Sequence, residues 1–141
     1  MSCNTTSSFI DKRRAGVLLH PTCLPGPQFC GDLGPNAYRF VEWMARAGLS
    51  VWQMLPLNPT PADGSPYQCQ SSFAGNIALI SIEQLIIDGW LDNKYSINGV
   101  NTLADIYTAL TASLDQFNRQ SHPQQQQQYN HFCETHKDWL N

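Results

Sequence analysis

Apolar residues recur along the chain with two different periods, and the switches between them mark its elements. Ala15-Gly-Val-Leu-Leu-His20 is a short apolar run, read as a strand buried on both faces. Pro21 stops it, and Pro21 to Pro27 is a loop punctuated by Pro and Gly. Gly31-Asp-Leu-Gly34 then leads into a helix whose first turn holds Pro35, where a missing N–H is tolerated. Ala37, Phe40, Val41, Met44 and Ala45 follow at the spacing of one buried face, with Gly48 as the stop. Ser50-Val-Trp-Gln-Met-Leu-Pro56 reads as a second strand. Strand, helix and strand at this spacing form a βαβ unit, which predicts parallel pairing and a right-handed crossover.

Leu57 to Asn76 has no period and contains Pro59, Pro61, Gly64, Pro66 and Gly75. A loop this long inside a compact domain is either functional or disordered, and the rings of Tyr67 and Phe73 favour the first. Ile77 to Ile80 leads into Ser81-Ile-Glu-Gln84, a capping-box pattern in which the serine oxygen and the glutamine side chain satisfy end N–H groups. Ile82, Leu85 and Ile86 give that helix an apolar face, and Gly89 ends it. A longer helix is predicted from Thr102, with Leu103, Ile106, Tyr107, Leu110, Leu114 and Phe117 on one stripe. Ser121-His-Pro123 breaks it, and Gln124 to Gln128 is a solvated helix start or a linker. Tyr129, Phe132, Cys133, His136, Trp139 and Leu140 give a last amphipathic helix. No stop signal precedes Asn141, so the chain is expected to be a piece of a longer protein.

Composition narrows the partners. Charged residues make up 13% of the 141, against about a quarter in soluble domains, while four Trp, five Tyr and six Phe supply rings that suit an uncharged ligand or a well-filled core. The formal charge is −3 and no basic stripe exists, which argues against nucleic acid and anionic membranes. The run Ile77 to Ile82 is too short to span a bilayer. Met1 to Ser8 is polar without a hydrophobic segment, so a cytoplasmic location is expected. Five cysteines, an odd count without a C-x-x-C pair, read as free thiols rather than a disulfide framework or a zinc site.

Five strings in order carry a resemblance. Arg14-Ala-Gly-Val-Leu-Leu-His-Pro-Thr-Cys-Leu-Pro-Gly-Pro27, Gly31-Asp-Leu-Gly-Pro35, Trp52-Gln-Met-Leu-Pro-Leu57, Ser65-Pro-Tyr-Gln68 and Ser72-Phe-Ala-Gly-Asn76 resemble the amylomaltases, or disproportionating enzymes, a family of 4-α-glucanotransferases. The strong part runs from about Lys12 to Asp92, and Phe132-Cys133 with Trp139-Leu140 resembles a later segment. The chain departs from the pattern at Cys23, Gln28-Phe-Cys30, Cys69-Gln70 and Ile77, which bears on loop detail. The resemblance implies an α/β fold, the N-terminal part of a (β/α)8 TIM barrel of the α-amylase type with a helical insertion. Residues 1–11 are then a disordered lead. Residues 12–141 are an incomplete barrel domain: the βαβ unit, a loop 57–76 at the active-site mouth, and a helical segment 81–140.

The implied reaction transfers α-1,4-glucan segments to acceptor glucans with retention, which needs two carboxylates. In the family these come from later barrel strands whose motifs do not occur here, so no catalytic residue is assigned and the chain alone is expected to be inactive. Two or three barrel strands cannot close a sheet, so poor solubility is expected as well. No cofactor or metal is implied. Partners are α-1,4-glucans such as maltooligosaccharides and starch- or glycogen-type chains. Tyr67 is the foremost binding residue, placed by the resemblance beside the sugar next to the scissile bond; the plainer account is a ring packed on the barrel rim. Ser65 and Gln68 are secondary candidates, equally at home as solvated turn residues. Asp32 and Asp63 read as helix-start and turn residues, His20 as a satisfied histidine near the core, and Trp52 as core. His131, Cys133, Glu134 and His136 resemble a metal set on paper, but only Cys133 and His136 share a helix face. The other class of function that fits is a non-catalytic glucan-binding or scaffolding module.

Overall fold

A computed structural model describes residues 12–26, 30–61, 65, 67–69, 71–96 and 100–140; the expected lead 1–11 and Asp63 lie outside them. Strands β1 (Gly16–Leu18) and β2 (Val51–Gln53) flank helix α1 (Pro35–Arg46) and pair in parallel, with Val17 opposite Trp52. The ladder is extended at both ends, by Ser50 N–H to Ala15 carbonyl at 2.9 Å and Leu19 N–H to Gln53 carbonyl at 3.0 Å. The βαβ unit and its parallel sense therefore match the sequence reading.

Burial of the strands does not. Gly16, Leu18 and Gln53 are exposed and Val17, Val51 and Trp52 half-buried, because α1 covers one face only. Phe40 of α1 meets Trp52 edge-on at 4.9 Å, and the Trp52 indole N–H donates to Leu19 carbonyl at 2.8 Å. The opposite face, with Gly16, Leu18, Val51 and Gln53, is an open groove of about 300 Å³. Along α1 only Ala37 and Met44 are buried, while Val41 and Ala45 of the predicted face are exposed.

The apolar core lies instead in the helical part. A 3-10 turn (Ile77–Leu79) precedes α2 (Ile82–Ile87), and another (Asn93–Tyr95) precedes α3 (Leu103–Gln120). Ala78, Ile82, Leu91, Val100, Ile106 and Ala109 form one buried cluster. Helix α3 thus packs through Ile106, Ala109 and Ser113, while Leu103, Tyr107 and Leu114 of the expected stripe are exposed. Small residues at 109 and 113 let the helix approach closely, which turns the buried face away from its larger side chains. Half of the predicted box at Ser81 forms: its Oγ accepts from Gln84 N–H at 3.3 Å, but Gln84 Nε2 donates forward to Asp88 at 2.8 Å. A complete box sits at Thr102, whose partner is Asp105. Gly48 and Gly89, at φ +75° and +77°, stop α1 and α2 in the left-handed region as expected.

His122 caps α4 (Pro123–Thr135) with Gln125 reaching back to its N–H at 2.8 Å, so the glutamine run is a helix start. Helix α4 has no buried residue and is held by Tyr129 edge-on to Phe117 at 5.6 Å. His136 ends it, and α5 (Lys137–Leu140) follows.

Candidate functional site

Parallel strands send the segments that follow them out at the same end, and His20 joins those segments there. Its Nε2 lies 3.3 Å from Pro56 carbonyl, while Nδ1 lies 2.7 Å from the Thr22 hydroxyl and accepts from Thr22 N–H at 3.4 Å. Accepting at Nδ1 leaves the ring proton on Nε2, where it is donated to Pro56. With both nitrogens engaged and the residue buried, His20 ties the two strand ends together, as the sequence favoured.

The loop from Leu57 to Asn76 leaves from this end and is closed at its base. Asn76 N–H donates to Leu57 carbonyl at 2.8 Å, and Asn58 Nδ2 donates to Ala74 carbonyl at 3.2 Å. In its distal limb Ser71 Oγ accepts from the N–H groups of Phe73 and Ala74, each at 3.2 Å. In the proximal limb Gln68 N–H donates to Ser65 carbonyl at 3.3 Å, which brings two candidates into one turn around the third. The Tyr67 residue is 73% exposed, so its ring does not lie beneath packed side chains. Gln68 is exposed and Ser65 half-buried. This arrangement presents the Tyr67 ring and the Gln68 side chain to solvent from a short turn, chemistry suited to the CH-rich face and hydroxyls of a sugar.

Among the described acidic groups of the neighbourhood, Asp32 serves structure. Asp32 is buried and its carboxylate accepts from Gly34 N–H at 2.9 Å, at the start of α1. Burial first, and then the charge of Asp32, push the Cys30 thiol above its ordinary pKa of 9.0, which keeps it protonated and poorly nucleophilic. Cys23, Cys30, Cys69 and Cys133 are free thiols. Among the described residues no three His, Cys, Asp or Glu side chains gather as a metal set would. His136 is engaged otherwise, accepting at Nδ1 from the Trp139 indole N–H at 3.2 Å. A broad depression of about 420 Å³, lined by Tyr95, Tyr107, Thr108, Thr111, Ala112 and Asp115, includes no residue of the loop.

Two rings that the sequence did not single out as site residues meet at the loop. Phe73, 72% exposed, stacks on Trp139 of α5 at 6.2 Å between centroids and 23° between planes. Phe73 lies in the Ser72-Phe-Ala-Gly-Asn76 string, whereas nothing local to Trp139 signals the contact.

The 4-alpha-glucanotransferase family model matches residues 19–141. The chloroplastic/amyloplastic 4-alpha-glucanotransferase of Solanum tuberosum is 54% identical over 85 residues, covering 57% of this chain and 15% of that protein. The 4-alpha-glucanotransferase of Synechocystis sp. is 36% identical over 141 residues, covering 93% of this chain and 28% of the relative. Among solved structures, the amylomaltase of Streptococcus agalactiae in complex with acarbose superimposes with a TM-score of 0.78 at 29% identity, covering 89% of this chain and 27% of that one. The chain thus spans between about a seventh and a little over a quarter of the length of these relatives.

Proposed function

The chain belongs to the 4-alpha-glucanotransferase family, and from that premise we propose that it contributes a glucan-binding loop to the retaining transfer of α-1,4-glucan segments. The βαβ unit is proposed as the first part of a (β/α)8 barrel, whose sites lie at the carboxyl ends of the strands. The observation that carries the reading is the exposed ring of Tyr67 on the loop that follows β2, at that end of the parallel pair. Tyr67 stacks on a glucosyl unit, and Ser65 and Gln68 bond its hydroxyls. Retention needs a nucleophilic carboxylate and an acid/base carboxyl group about 5–5.5 Å apart. Asp32 is committed to Gly34 N–H inside the fold, so the chain is proposed to bind and orient sugar rather than to catalyse transfer alone. No cofactor is proposed. The cytoplasm is the proposed location, while the potato relative is chloroplastic or amyloplastic.

Calorimetric titration of the 141-residue chain with maltoheptaose tests this. Losing a ring stack and a hydroxyl contact in Tyr67→Ala weakens affinity by about tenfold or more, roughly 1.4 kcal/mol. Equal affinity of the variant and the parent sinks the reading. A second reading, a non-catalytic glucan-binding module, draws on the buried cluster of Ala78, Ile82, Leu91, Val100, Ile106 and Ala109. A glucan-transfer assay separates the two when later-strand segments of a relative are supplied in trans: restored transfer supports the enzyme piece, and binding without transfer supports the module.

A further inference from the structure

We propose that Trp139, set by His136, is a positioning residue that fixes the distal limb of the Leu57–Asn76 loop through Phe73; this rests on reading that loop as glucan-binding. Phe73 is a large apolar side chain left 72% exposed, yet its ring is stacked on one partner in a defined plane. So open a contact contributes little apolar burial, and its main effect is orientation.

The indole is itself held at a set angle. Its N–H donates to His136 Nδ1 at 3.2 Å, and the two rings meet at 5.7 Å and 62°. His136 in turn rests on Phe132 of α4, with ring centroids 4.6 Å apart. Four rings therefore run from α4 through α5 to the loop. From the backbone side, the Ser71 hydroxyl holds the N–H groups of Phe73 and Ala74. Main chain and side chain of Phe73 are thus restrained by independent contacts, which preorganises this limb before a ligand arrives and lowers the ordering cost of binding.

Hydrogen exchange of the full 141-residue chain, followed by mass spectrometry, tests the proposal without any glucan. Trp139→Ala raises exchange at residues 71–76 roughly two- to tenfold, the range an aromatic pair supports, and leaves peptides of α3 unchanged. Trp139→Phe, which keeps a ring to stack on, restores most of the protection. Phe73→Ala reproduces the effect, and the double variant adds little to either single one. Unchanged exchange in Trp139→Ala, additive effects in the double variant, or no protection at 71–76 in the parent chain each overturn it. Maltoheptaose titration forms a separate arm. Weaker binding by Trp139→Ala with recovery in Trp139→Phe supports the link to function. A parent chain that does not bind defeats the glucan reading, while exchange still decides whether Trp139 positions the limb.

Discussion

Replacing Gly34 by alanine tests a close approach between the start of α1 and the start of α2. A Cβ built on Gly34 lies 2.6 Å from Ser81 Cβ and 2.8 Å from Asp32 Oδ1, where ordinary contact begins near 3.4 Å. Neither neighbour is a mobile tip. Ser81 is buried and caps α2, and Asp32 is buried and holds Gly34 N–H. Relief therefore requires the start of α1 to move away from the Ile77–Ser81 segment, which stretches the Leu33 N–H to Leu79 carbonyl bond of 2.9 Å. Overpacking of this kind costs about 1–3 kcal/mol, and losing that hydrogen bond adds about 0.5–1.5 kcal/mol. Urea unfolding of Gly34→Ala, read by far-UV dichroism, should thus show about 1.5–4.5 kcal/mol of destabilisation. Ser81→Gly alone weakens the cap by only about a few tenths of a kcal/mol but empties the space beside position 34. In that background Gly34→Ala should cost less than half as much, leaving only the Asp32 contact. A Gly34→Ala variant as stable as the parent, or one equally destabilising in both backgrounds, refutes the reasoning.

Three further outcomes follow from the helical part and the strand ends. Ile106→Ala, at a fully buried position, should cost about 2–5 kcal/mol, whereas Leu103→Ala, 45% exposed, should stay near 0.5 kcal/mol; comparable losses in urea unfolding contradict the rotated buried face. The Thr102 hydroxyl first, and then Asn101 N–H, hold the Asp105 carboxyl below its ordinary 3.8. Its contribution to stability is therefore fully present above 3.8 and lost as pH falls through the lowered pKa. Asp105→Asn should remove that part of the acid transition of helicity, and an unaltered acid titration counts against the capping box. His20→Ala strands the Pro56 carbonyl and the Thr22 hydroxyl at a cost of about 1–3 kcal/mol, and exchange should rise at residues 19–22 and 54–56 before it rises in α3.

Local chemistry was legible where one residue decides the outcome. Pro35, Gly48 and Gly89 place helix ends through φ and a missing N–H, and the βαβ order forces parallel pairing of β1 with β2. Burial was less legible, because periodicity gives the apolar side of an element but not which neighbour arrives to cover it. The β1 run is apolar throughout, yet α1 packs against Trp52 of the pair while Leu18 stays 59% exposed. Along α3 the large residues suggested the contact face, but Ala109 and Ser113 admit closer packing and win. At the loop, the motif pointed to Tyr67, Ser65 and Gln68, and the structure gathers them in one turn with Tyr67 and Gln68 exposed and Ser65 half-buried. The Phe73–Trp139 stack joins residues far apart in sequence, so no local pattern could announce it.

The distribution of burial bears on how such a loop works. Apolar contacts concentrate in α2, α3 and the turns between them, while the loop base is held by Asn76 to Leu57, Asn58 to Ala74 and, at the strand ends, His20 to Pro56. Each such hydrogen bond contributes about 0.5–1.5 kcal/mol net, against about 2–5 kcal/mol for one buried isoleucine of the helical cluster. Opening the loop therefore leaves the main core intact and costs a fraction of global unfolding. A ligand that bonds to the closed loop would add its contacts to these polar ties. Low local stability in the loop and high stability behind it are then two parts of one arrangement: the helical cluster anchors the Asn76 side, and the strands deliver Leu57.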